Sequence, residues 1–122
     1  MKKIMIELPW PPSANTYWRR NGSRYFISKK GQDYRDYVIK ECYIYAGLFH
    51  EDSRLSVSID AFPPDKRKRD LDNLFKSVLD SLQAAALFPD DNQIDELSIR
   101  RMPFNEGKII IKMHVLPPSA NN

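Results

Sequence analysis

Hydrophobic residues recur at every second position in three stretches of this chain. Ile4, Ile6 and Leu8 alternate with Met5 and Glu7, and Leu55, Val57, Ile59 and Ala61 alternate with Ser56, Ser58 and Asp60. Ile109, Ile111, Met113 and Val115 keep the same spacing. A period of two buries one face of a strand and wets the other, so each stretch predicts a strand. Two more strands are expected, over Arg24–Ser28 after the Asn21-Gly22 turn signal and over Glu96–Met102, with Glu106-Gly107 turning the chain before the last strand.

The remaining apolar positions follow a helical period. Leu71, Leu74, Phe75, Val78, Leu79 and Leu82 fall on one stripe, which predicts a helix running to about Ala86 and closed before Pro89. Ser28 is a suitable N-cap for a second helix over Lys29–Ala46. Its buried face would be Tyr34, Val38, Cys42 and Tyr45, with Gly47 as its stop. Pro9, Pro11 and Pro12 lack amide donors, so "PWPPSANTYWRR" reads as a rigid loop, and "PDDN" after the stripe helix reads as a turn. The order β, β, α, β, α, β, β predicts an α+β fold, a mixed β-sheet with two main helices packed on one face. One domain over residues 1–122 is expected, with 117–122 a loose tail.

Composition narrows the function classes. With 42% hydrophobic and 29% charged residues the chain is not a disordered one. It has no run of about 18 apolar residues, so no transmembrane helix and no membrane partner are expected. The start "MKKIMIELPW" resembles a signal peptide until Glu7 and the prolines break it, which predicts a mature cytoplasmic protein. The single Cys42 excludes an internal disulfide and a cysteine zinc site, and reads as a small buried hydrophobe. His50 and His114 lie far apart in the sequence and are given no metal role.

The net charge of +3 matters less than its distribution. Arg19, Arg20, Arg24, Lys29, Lys30, Arg35 and Lys40 face only Asp33 and Asp36 across a segment interleaved with aromatics, and Lys66, Arg67, Lys68 and Arg69 form a second basic run. Either segment alone would be a solvated face. Two of them flanking clustered acids point to a phosphate backbone, with Arg67, Lys68, Arg69, Arg19, Arg20, Lys29 and Lys30 as the candidate DNA contacts.

The acids stand where such a grip would need a cation. Asp70 and Asp72 sit at a strand–loop–helix junction directly after the basic run, and Asp90 and Asp91 return just after the helix. Mg²⁺ takes oxygen ligands, one or two carboxylates together with water and substrate phosphate. Asp70, Asp72 and Asp91 would supply such a site if the fold brought the later turn back to the helix start. Lys76 would then steady developing negative charge. The plainer alternative makes Asp70 an N-cap and Asp72, Lys76 and Asp80 an i, i+4 salt-bridge ladder.

"LPWPPSANTYWR" (Leu8–Arg19), "DKRKRDLDNLFKSVLDSL" (Asp65–Leu82) and "DDNQID" (Asp90–Asp95) resemble the RusA family of Holliday-junction resolvases. The resemblance covers nearly the whole chain and is specific in these three blocks. It implies a RusA-like homodimeric endonuclease of bacteria or their phages, nicking four-way DNA junctions symmetrically with Mg²⁺, for which Mn²⁺ substitutes. It places the metal-binding acids on Asp70, Asp72 and Asp91, the active-site lysine on Lys76 and a phosphate contact on Arg69. Asp91 takes its role as the second acid of its pair, and Asp80 is open between outer ligand and structural partner. A two-fold dimer suits paired cuts in two symmetry-related strands. Trp10, Tyr17 and Trp18 are available to stack on bases opened at the crossover, or to pack in the core or a dimer interface, the reading preferred for Trp10. A DNA-binding module without catalysis, or a nuclease for another branched or RNA substrate, are the competing readings.

Overall fold

The computed structural model describes residues 2–103 and 106–118. Four strands form the main sheet: β1 (Lys3–Pro9), β4 (Leu55–Phe62), β5 (Ile94–Arg101) and β6 (Lys108–Val115), in the order β1-β6-β4-β5. β6 pairs antiparallel with both β1 and β4, whereas β4 and β5 are parallel, so the sheet is mixed as expected. The period-two pattern fixes which face is covered. Leu55, Val57, Ile59 and Ala61 are buried, as are Ile109, Ile111 and Met113 and, on β1, Ile6 and Leu8. They form one cluster with Tyr34 and Val38 of α2 (Lys29–Glu41) and Leu74, Val78 and Leu82 of α3 (Asp72–Ala84). The two main helices therefore pack on one face of the sheet and against each other.

Three local details differ from expectation. The proline segment does not stay irregular but folds into one helical turn, α1 (Ala14–Tyr17), followed by β2 (Trp18–Asn21). β2 pairs with β3 (Arg24–Ile27), and because Asn21 pairs with Arg24, the two loop residues are Gly22 and Ser23 rather than Asn21 and Gly22. Gly22 takes φ +65°, which fits the first position of a type II′ turn. Finally, α2 ends at Glu41 instead of Ala46, and a 3₁₀ turn at Tyr43–Tyr45 continues the chain with Cys42 still buried.

Ser28 caps α2 as expected, its hydroxyl accepting from the Gly31 amide at 3.0 Å. Gly31 is demanded by a close approach: a Cβ there would lie 2.4 Å from the Tyr17 carbonyl oxygen. This contact clamps α1 onto α2. Of the tail, Leu116 donates its amide to the Arg54 carbonyl, residues 117 and 118 are exposed, and 119–122 lie outside the described residues. The Glu106-Gly107 turn borders undescribed residues, and Gly107 has the positive φ, +92°, that such a turn requires. No helix among the described residues is long and apolar enough to cross a membrane.

Candidate active site

The chain leaves β4 through the basic loop and enters α3, and the N-terminal proline segment lies alongside. The Ser77 hydroxyl donates to the Pro12 carbonyl at 3.0 Å, holding the proline segment against α3. Between them runs a groove of about 460 Å³, walled by Trp10, Pro11 and Ser13 on one side and by Arg67–Asp70 and Asn73 on the other.

Asp65 organises this loop, a role the sequence reading did not give it. Its carboxylate accepts from Arg69 Nη1 at 2.8 Å and from the Arg67 amide at 2.9 Å. The Arg69 guanidinium and then the Arg67 amide hold its carboxyl well below the usual carboxylate range. Arg69 also lies over the Trp10 ring at 5.7 Å and accepts at its carbonyl from Arg101 Nη2 at 2.8 Å. The arginine assigned to phosphate contact is thus first a wall of the groove, although its Nε and Nη2 bond to no other described residue. Arg67 and Lys68 are exposed on the loop. Lys29 is paired with Asp33 at 2.8 Å, and neither it nor the exposed Lys30 lines this groove or the one beside it.

The acids divide into those already engaged and those free. Asp80 accepts from Arg35 Nη2 at 2.7 Å and from the Tyr17 hydroxyl, joining α1, α2 and α3. Burial and then the bond to Asp80 push the Tyr17 hydroxyl pKa up, while burial of Arg35 is outweighed by its bonds to Tyr17 and Asp80, which raise its pKa. Asp80 is therefore a structural partner, and Tyr17, fully buried, cannot stack on a base. Because Asp80 faces Arg35, the ladder through Lys76 does not form among the described residues. Nor does Asp70 cap α3, whose N-cap position is Leu71 with no side-chain bond. Asp70 and Asp72 are exposed, without side-chain partners among the described residues, at the positive end of the α3 dipole. Lys76, one turn beyond Asn73, lies on the same face of the helix and lines a second groove with Trp18, Arg19 and Arg20.

Asp91 is equally free and firmly placed. Asp90 caps a 3₁₀ turn at Asp91–Gln93, accepting from the Asn92 amide at 2.9 Å, while the Gln93 side chain accepts from the Asp90 amide. The buried Gln93 amide donates to the His50 and Ser53 carbonyls, and Arg54 donates to the Asn92 carbonyl and to Asp95. Asp90 gives one carboxylate oxygen to the cap, whereas the Asp91 carboxylate has no side-chain partner among the described residues.

The fold does not bring Asp91 to Asp70 and Asp72 within one chain. β5 does return along α3, but Asp91 precedes it, and Ile94 pairs with Leu55 at the start of β4. It is Arg101, at the far end of β5, that reaches the basic loop. The seven residue steps of β5 span about 23 Å at the strand rise. Among the described residues no group of three or more acidic, histidine or cysteine side chains is placed to hold a metal. One chain thus offers a two-carboxylate site at the start of α3, which suits a hard cation in part, and a third carboxylate at the opposite end of the sheet.

Known proteins resemble this chain in sequence. The model of the family described as endodeoxyribonuclease RusA matches residues 9–114. The chain is 44% identical over 117 residues to "Crossover junction endodeoxyribonuclease rusA" of Enterobacteria phage HK97, covering 93% of this chain and 95% of that protein. It is 41% identical over 110 residues to the RusA enzyme of the same description from Shigella sonnei, and 40% identical to that of Escherichia coli K12, each match covering 88% of this chain and 89% of the relative. The proline segment, the basic loop and the acidic turn all lie within the matched span, and the chain belongs to the RusA family.

Proposed function

We propose that this chain is a metal-dependent, structure-selective DNA endonuclease that resolves four-way junctions by paired nicks during recombination. The observation that carries the reading is the pair of carboxylates, Asp70 and Asp72, without side-chain partners among the described residues and set between a cationic loop and Lys76. The relatives' description as crossover junction endodeoxyribonucleases supports the substrate.

Asp70 and Asp72 would hold the cation, Mg²⁺ or Mn²⁺. When bound, it supplies an activated water and neutralises charge on the phosphoryl oxygens. This chain's own residues do the rest. Arg67 and Lys68 grip the phosphates flanking the scissile bond, and Lys76 holds positive charge beside the developing oxyanion. The placement of Asp91 supports a homodimer. A two-fold arrangement that sets one chain's Asp91 end against the other's Asp70 end gives two equivalent sites, each completed by the partner's Asp91. Paired nicks in symmetry-related strands follow from the same axis.

The test is cleavage of a synthetic four-way junction with Mg²⁺ or Mn²⁺, with chelator, and with Asp72→Asn. Symmetric nicks that require both metal and Asp72 are expected. Asp70→Asn should keep or tighten junction binding, because it removes negative charge facing phosphate, and that binding should weaken steeply with salt. Tight junction binding with no cleavage in either metal would refute the enzyme and leave a binding module.

A further inference from the structure

The second groove, about 700 Å³, lies between the β2–β3 hairpin and α3, with Lys76 on its wall one helical turn beyond Asn73 of the first groove. Its walls include Trp18, Arg19, Arg20, Tyr25 and Lys76, with no carboxylate among its lining residues. Residues opposite one another in an antiparallel pair share a face, so Trp18, Ile27, Arg20 and Tyr25 lie on one side of the hairpin. Trp18 and Ile27 pack against the core, so Arg20 and Tyr25 extend that inward side over the groove. Tyr25 is 69% exposed, and the Arg20 guanidinium, whose Nε donates to the Gly22 carbonyl at 2.6 Å, lies 5.6 Å from its ring centre with its two terminal nitrogens left for a phosphate. An open aromatic ring beside three cations, with no acid present, has the makeup of a site for a base and its phosphate.

Resting on the junction-endonuclease reading, we propose that this groove receives one unpaired nucleotide at the strand-exchange point, its base stacked on Tyr25 and its phosphate held by Arg20 and Lys76. A base inside intact duplex is paired and stacked on both sides, whereas one at the exchange point of an opened junction lacks a stacking neighbour, so turning it out onto the ring costs less there. The groove therefore distinguishes a junction from duplex, and it does so next to the carboxylates. Trp18, edge-on to the buried Tyr17 with ring centres 5.0 Å apart, forms a wall of the groove beside Tyr25.

The experiment measures equilibrium affinity of the full chain for a four-way junction and for duplex of the same sequence, with wild type, Tyr25→Ala and Tyr25→Phe. Base–aromatic stacking contributes about 1–3 kcal/mol per base, so Tyr25→Ala should lower the junction-to-duplex affinity ratio roughly 5- to 150-fold. Tyr25→Phe keeps the ring and should keep the ratio. The cycle is closed with a junction abasic at the exchange-point nucleotide. Removing the base should cost wild type as much as Tyr25→Ala does, and removing both should cost no more than removing one. An unchanged ratio in Tyr25→Ala, or base and ring losses that simply add, would overturn the nucleotide site while leaving the endonuclease reading intact. A wild-type chain that binds junction no better than duplex would overturn that reading and the site together.

Discussion

The proposed sharing of the acids between two chains makes one prediction unusually sharp. Asp70→Asn and Asp91→Asn proteins are each prepared, and each should be inactive alone, because every site in either homodimer lacks one carboxylate. The magnitude follows from the fold. A Mg²⁺ ligand must stand about 2.1 Å from the ion, and the length of β5 separates the two ends by about 23 Å, so no side-chain motion within one chain bridges them. In a mixed dimer, however, one site combines Asp70 and Asp72 of the Asp91→Asn chain with the intact Asp91 of the other, while the second site carries both losses. If the chains exchange freely, half the dimers are mixed and each has one of two sites, so about a quarter of wild-type sites should return. The product should also change: nicks in one strand of a labelled junction rather than paired cuts, followed on a denaturing gel after mixing and incubation. No recovery, with exchange verified by differently tagged chains, would refute the two-chain site. Recovery of paired cuts would refute it as well.

Two further outcomes follow from the packing. Asp80→Asn removes the acceptor shared by Arg35 and Tyr17, and should cost about 1–3 kcal/mol in urea unfolding while junction cleavage per folded molecule persists; lost cleavage at unchanged stability would make Asp80 an outer metal ligand instead. Burial pushes the Cys42 thiol up from 9.0 to about 11, so stability should hold below pH 9 and fall as pH rises through 11, where the unfolded chain has already ionised. Iodoacetamide at pH 8 should leave Cys42 untouched in native protein and label it in urea, and native labelling would show that the helix end opens.

The parts of this molecule that were legible in its sequence are those governed by local periodicity. Alternation along β4 and β6 and the stripe on α3 each encode a buried face, and Ser28 encodes a cap through one hydrogen bond. The chemical content of the site was also legible, because a basic run beside paired acids is a contiguous pattern. Where Asp91 lies was not, since it depends on the parallel pairing of β5 with β4, a contact between segments some 40 residues apart that leaves no trace in either. The engagement of Asp80 by Arg35 is hidden for the same reason. Some signals were present and passed over. Asp90 followed three residues later by Gln93 has the form of a capping box, which already assigns Asp90 a structural bond that Asp91 does not make. Tyr25 beside Arg20 could be paired only once the hairpin register was known.

The distance from the start of α3 to the 3₁₀ turn that carries Asp91 has a consequence for the order of the reaction. If the proposed site is shared, a single chain carries part of a ligand set at each end and is silent in isolation, so activity should fade on dilution faster than protein concentration does, approaching second order once dimers dissociate. Such kinetics would suit a nuclease let loose in a cell full of duplex. A stray molecule meeting DNA alone would leave no lesion behind it, and the hazard of an unpaired break would be contained by geometry rather than by an inhibitor.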